Sequence, residues 1–188
     1  MSEPVLDPVA EAIGVSSVTV HTPNEQVFGS ATGQRDVQVW FAPGHYQRVA
    51  TGKLAEELAT LARLLMVAGL RDNARITAAV TGHDLTERVP LGRRAEAYDR
   101  FLRELTVEAA SDDGTVSVTA VGQLSFVVRI EPGTLDRVPQ EVFEASCGQA
   151  ATRLVAETEI AAARARWETF EPIPGVSLAD LDTRTARA

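Results

Sequence analysis

Residues 17–66 align without a gap onto residues 106–155, at a constant offset of 89. Twelve of those 50 aligned pairs are identical, among them Val27/Val116, Gly33/Gly122, Val39/Val128 and Leu65/Leu154. Both copies carry Pro-Gly-x-x-x-Arg-Val, at Pro43–Val49 and Pro132–Val138. A fixed offset means that one structural unit is built twice, and two copies of one unit characteristically pack about a pseudo-two-fold axis. Such a chain has the form of a fused homodimer, which points to a binding device rather than an enzyme.

Hydrophobic periodicity fills in the unit. Tyr98, Phe101, Leu102 and Leu105 fall at helical spacing, so a helix is expected over about 93–105. A strand is expected at Thr106–Ala110, then a turn at Ser111-Asp-Asp-Gly114. Val116 and Val118 alternate with Ser117 and Thr119, and Phe126, Val128 and Ile130 take alternate positions of the next run, as in half-buried strands. Short turns between them make the strands antiparallel. Pro139 suits the first turn of a long helix striped by Phe143, Cys147, Ala150 and Leu154, ending before Pro172. The first copy repeats this order. It has a helix near Asp7–Ile13, strands near Val18–Thr22, Val27–Thr32 and Val37–Ala42, and a helix over about Lys53–Ala68. Gly69-Leu70 reads as that helix's Schellman stop, and Ala74–Val80 as a possible strand.

The resulting organisation is a first unit over 1–70, a linker over 71–92, a second unit over 93–170 and a flexible tail over 171–188. The fold class is α+β: two helix–strand–strand–strand–helix units forming an intramolecular pseudo-dimer. Each three-stranded sheet leaves exposed edges, so edge-to-edge pairing into one six-stranded antiparallel layer is expected.

Composition narrows the function. Residues 1–90 carry 7 basic against 10 acidic side chains (−3) and residues 91–188 carry 11 against 16 (−5), so neither half shows the basic footprint of a nucleic-acid binder. Lys53 is the only lysine, and the arginine-rich remainder resembles the bias of a GC-rich genome. Cys147 is the only cysteine, which excludes an intramolecular disulfide and a cysteine-based zinc site. No run approaches the roughly 18 apolar residues needed to cross a bilayer. The start, MSEPVLDPVAEAIG, lacks the basic and apolar regions of a secretory signal, so a cytoplasmic location without membrane insertion is expected.

Gly114-Thr-Val-Ser-Val118, the turn at Gly122, the strand Ser125–Glu131 ending in Pro132 and the Ala-rich helix after Pro139 together resemble the YbaB/EbfC family of small bacterial nucleoid-associated proteins. The resemblance covers roughly residues 91–170, and residues 7–70 as a degraded copy. It implies the helix, three-strand, helix fold, dimerisation through the sheets, and DNA binding. The chain departs from the family in holding two copies and a single lysine. Val18-Thr-Val-His-Thr-Pro23 and Thr115-Val-Ser-Val118 are similar to strand segments of the type VII (ESX) secretion-associated proteins of actinobacteria, which include relatives of this small fold.

Chemistry-bearing motifs are few. There is no phosphate-binding loop, dinucleotide fingerprint, zinc-protease helix or nucleophile elbow, and Gly29-Ser-Ala-Thr-Gly33 misses the last by spacing. His21, His45 and His83 are expected as solvated side chains, Glu56-Glu57 as a solvated helix face, and Cys147 as a small core residue. A non-catalytic protein without cofactor or metal is expected, serving as an adaptor, chaperone-like or structural accessory module of type VII secretion. Its candidate interaction residues are Trp40, on the outer strand face, and Arg48 and Arg137, from the repeated segment. The alternative is nucleoid-associated DNA binding through Arg93, Arg94, Arg100 and Arg103. A protein partner and further self-association through free sheet edges are both expected.

Overall fold

The structure is a computed structural model that describes residues 8–33, 35–82 and 92–170. Its elements run α1 (Pro8–Gly14), β1 (Ser17–His21), β2 (Val27–Thr32), β3 (Asp36–Phe41), α2 (Thr51–Thr81), α3 (Arg93–Glu104), β4 (Thr106–Ala110), β5 (Val116–Val121), β6 (Ser125–Ile130), α4 (Thr134–Arg137) and α5 (Gln140–Thr169). The class is α+β. The expected tail at 171–188, and His83, lie outside the described residues.

The strands form as their alternation requires. In β3 the even face is exposed, while Val37, Val39 and Phe41 are buried. Val116, Val118 and Ala120 in β5 do the same. Two antiparallel sheets result, ordered β1-β2-β3 and β4-β5-β6. Their inner faces contribute to one apolar core with α2 and α5, where Val27, Leu54 and Phe143 are 0% exposed. Burying each such side chain contributes roughly 2 kcal/mol.

Many local hydrogen bonds recur 89 residues apart. Gly33 N–H donates to Ser16 O and Gly122 N–H to Leu105 O, both at 2.8 Å. Both glycines have positive φ (57° and 61°), and a Cβ on either would lie within 2.7 Å of a backbone oxygen, Gly14 O or Arg103 O, so glycine is required at both positions. Arg48 Nε donates to Gly44 O (2.7 Å), as Arg137 Nε does to Gly133 O (3.1 Å).

The expected six-stranded layer does not form. The two sheets share no strand pairing. Instead each long helix packs on the inner face of its own hairpin and along the third strand of the other sheet: α2 on β1, β2 and β6, α5 on β4, β5 and β3. Along β3 the helix also supplies hydrogen bonds that a neighbouring strand would have supplied. Val37 N–H donates to Thr152 Oγ1 (3.2 Å) and Phe41 N–H to Glu144 Oε1 (3.0 Å). Gly148 lies between them, so close that a Cβ there would stand 2.7 Å from Val37 O. A helix with no side chain at that point competes successfully for the strand edge.

The second correction concerns α2. It does not stop at Gly69 but runs to Thr81, through the segment expected as a strand, and ends at Gly82, whose N–H donates to Ala78 O. Ile76, buried in this extension, stands 89 residues before Ala165, buried in α5. Helix α2 packs against α1, as α5 packs against α3. Tertiary packing outweighs the roughly 1 kcal/mol that a mid-helix glycine costs.

Candidate interaction surface

The outer face of the first sheet is polar except for one row. Register places His21 opposite Phe28 and Phe28 opposite Trp40, so one aromatic ring stands on each strand in a line across the sheet. Phe28 and Trp40 stack with centroids 5.9 Å apart and planes 8° from parallel, and His21 tilts against Phe28 at the same distance. His21 Nδ1 donates to Thr22 O (3.0 Å), which fixes its ring. Trp40 remains 36% exposed. The neighbouring rows are Thr19–Ser30–Gln38 and Ser17–Thr32–Asp36. On the second sheet the row at the same offset is Ala110–Ser117–Arg129, without a ring. The aromatic row is thus a property of one sheet.

Of the other candidates, Arg48 and Arg137 fold back onto their own strand-to-helix connections. Both are exposed and hold backbone carbonyls, and Arg137 also reaches Glu131 (3.4 Å). Arg93, Arg94, Arg100 and Arg103 are exposed on α3, where Arg103 pairs with Asp99 at 2.7 Å.

His45 and Glu57 depart from the expected solvated state. Their side chains are 13% and 7% exposed and meet at 2.7 Å. The other Glu57 oxygen accepts from Asn24 Nδ2 (2.8 Å), and Asn24 Oδ1 accepts from the buried Thr22 hydroxyl (2.7 Å). This chain ties the β1–β2 turn and the β3–α2 connection to helix α2. Its counterpart 89 residues on is Ser111–Asp113–Ser146. Asp113 accepts from the Ser111 hydroxyl (2.6 Å), the Thr115 N–H and hydroxyl, and the Ser146 hydroxyl (2.8 Å). Partial burial raises the Asp113 pKa, but these four donors outweigh it and hold the carboxyl well below the usual range. Thr134 occupies the place of His45, and its buried hydroxyl has no partner among the described residues. No motif marks this network in the sequence; the offset alignment of Thr22/Ser111, Asn24/Asp113 and Glu57/Ser146 was the available signal.

Cys147 is buried in the core, and burial, reinforced by the Glu144 and Asp113 charges, pushes its thiol far above the usual value. It has the surroundings of an inert packing residue. A shallow groove of about 520 Å³ follows β3 and α5, lined by Asp36, Gln38, Glu144, Gln149 and Arg153 among others. Among the described residues no cluster of His, Cys, Asp or Glu has the arrangement to hold a metal, and no helix is long and apolar enough to cross a membrane.

Fold and surface together define an α+β chain with two three-stranded sheets, one of which carries an exposed aromatic row. No protein-family model, curated protein or solved structure matches it.

Proposed function

We propose that this chain is a non-catalytic protein-interaction module, an adaptor, chaperone-like or structural accessory of the type VII secretion kind, built from two YbaB-like units packed as a pseudo-two-fold intramolecular dimer. The observation that carries the interaction reading is the His21–Phe28–Trp40 row: exposed aromatic area at a sheet surface is the kind of feature that anchors protein interfaces. The hydrogen bonds recurring at an offset of 89 support the two-unit reading. The units have diverged where a partner would need asymmetry, at Trp40 against Arg129.

The test places a photo-crosslinking side chain at position 40, and in a second variant at position 129. A discrete polypeptide adduct from position 40, absent from 129 and competed by excess wild-type chain but not by Trp40→Ala, is the expected result. Trp40→Ala should keep its fold, losing about 1 kcal/mol of ring stacking in addition to the apolar area that Trp40 buries. Equal adducts from both positions would remove the aromatic row as the interface. The DNA reading is settled beside it: micromolar duplex binding that weakens steeply with salt, and disappears when Arg93, Arg94, Arg100 and Arg103 are replaced by glutamine, would put DNA binding in place of the adaptor role.

A further inference from the structure

The sheets have four outer strand edges, and the chain treats them unequally. β3 is covered by α5, with Thr152 and Glu144 taking its N–H groups. β6 lies along α2. At β4, Arg153 Nη1 donates to Ala110 O (3.0 Å), and Gln149 Oε1 accepts from the N–H of Asp112 just beyond the strand (2.7 Å). β1 has no such cover among the described residues. Ser16 O and Thr22 N–H both bond across to β2, so the even-numbered residues between them face β2. In an antiparallel ladder the alternate residues then face outward, which directs the backbone groups of Ser17, Thr19 and His21 to the open edge. All three residues are exposed.

The usual protections of an open edge are a charge, a proline or a bulge. β1, Ser-Val-Thr-Val-His, has none of them. The offset equivalent of Thr19 is Glu108 in β4, so the second sheet carries a charge where the first carries a neutral β-branched residue.

We propose that β1 pairs antiparallel with β1 of a second copy of this chain, about a two-fold axis through Thr19. Parity selects this centre. With Thr19 opposite Thr19 of the second copy, Ser17 falls opposite His21 and His21 opposite Ser17. Every outward-facing residue then meets an outward-facing residue, and each such pair exchanges two backbone hydrogen bonds. Val18 and Val20 meet on the inner face, extending the core side of the sheet. No like charges face each other, because the strand holds no Asp, Glu, Lys or Arg and its one histidine falls opposite Ser17. Beyond the strand, the same register directs Val15, 78% exposed, towards Pro23 of the second copy, which gives the interface an apolar contact at each end. The product is a continuous six-stranded sheet, β3-β2-β1 followed by β1-β2-β3 of the second copy, with an aromatic row on each side of the axis. The pairing does not depend on the adaptor reading, since it uses the edge and not the ring face.

Thr19→Pro tests it cleanly. The Thr19 N–H takes no part in the sheet's own ladder, so the substitution removes a donor from the proposed interface alone. Sedimentation of the full chain over a concentration series should show reversible dimer formation for wild type. It should show monomer for Thr19→Pro and for Thr19→Lys, with circular dichroism unchanged and unfolding midpoints equal to those of wild type diluted to monomer. Glu108→Pro, at the equivalent edge of β4, should leave dimerisation intact. Register is read by cysteine: paired Cα atoms across this ladder sit about 5.5 Å apart, within disulfide reach. Thr19→Cys should therefore oxidise to a covalent dimer, whereas Ser17→Cys, whose symmetry mate lies four residues along, should not. A wild-type chain that stays monomeric throughout overturns the proposal. So does a dimer that survives both Thr19 substitutions, or one that cross-links through Ser17→Cys in preference to Thr19→Cys.

Discussion

The imidazole of His45 lies 2.7 Å from the carboxylate of Glu57, with both side chains largely out of solvent. The carboxylate also accepts from Asn24, so one residue of α2 holds two loops that approach from different strands. Removing it leaves the Asn24 amide N–H and a largely buried imidazole without that partner. Glu57→Ala should therefore destabilise the fold by about 1–3 kcal/mol, beyond a surface substitution. Denaturant unfolding would measure it, and Glu56→Ala on the neighbouring exposed position should cost less than about 0.5 kcal/mol. Equal effects at the two positions would show that the network carries no stability.

Two mid-helix glycines should respond oppositely to alanine. A Cβ on Gly69 meets nothing within 4 Å, so Gly69→Ala should stabilise by up to about 1 kcal/mol through helix propensity. A Cβ on Gly148 would stand 2.7 Å from the Val37 carbonyl oxygen, a backbone atom that cannot swing aside. Gly148→Ala should destabilise by about 1–3 kcal/mol after the propensity gain is subtracted. Thermal unfolding of the two variants decides it, and a stabilised Gly148→Ala would mean that α5 does not seat on β3 as described.

Acid sensitivity should be concentrated at Asp113. Its folded-state pKa is depressed, so its contribution is fully present above the ordinary carboxylate value near 4 and is lost as pH falls below it. Wild type should lose stability steeply on titration downward from about pH 4. Asp113→Asn, which installs the residue found at the equivalent position 24, should start less stable at neutral pH and show a shallower decline. Parallel curves for the two proteins would show that the four hydrogen bonds do not favour the charged form.

Most of the secondary structure was legible because each strand is buried on one face. The alternation of Val37, Val39 and Phe41, and of Phe126, Val128 and Ile130, is a local consequence of that burial. What was missed depends on contacts remote in sequence. Gly69-Leu70 has the chemistry of a helix stop, and α2 runs past it to bury Ile76 in a helix that packs on α1. The sheets stay separate because Thr152 and Glu144 reach β3 from another element, and neither residue type announces that role. Within the candidate surface, Trp40 was legible from its place between Val39 and Phe41. Its stacking on Phe28 and His21 required the register of all three strands. The burial of His45 required knowing that Asn24 and Glu57 meet across 33 positions.

The cover of β3 by α5 has a consequence for the order in which the protein is made. Val37 receives its partner from a residue 115 positions downstream, and Phe41 from one 103 positions downstream. A ribosome delivers the first sheet long before it delivers the helix that closes it. During that interval the nascent chain presents an unfinished edge beside its own apolar strands, the state in which misassembly is easiest. Half of this chain, expressed alone, is in that position permanently.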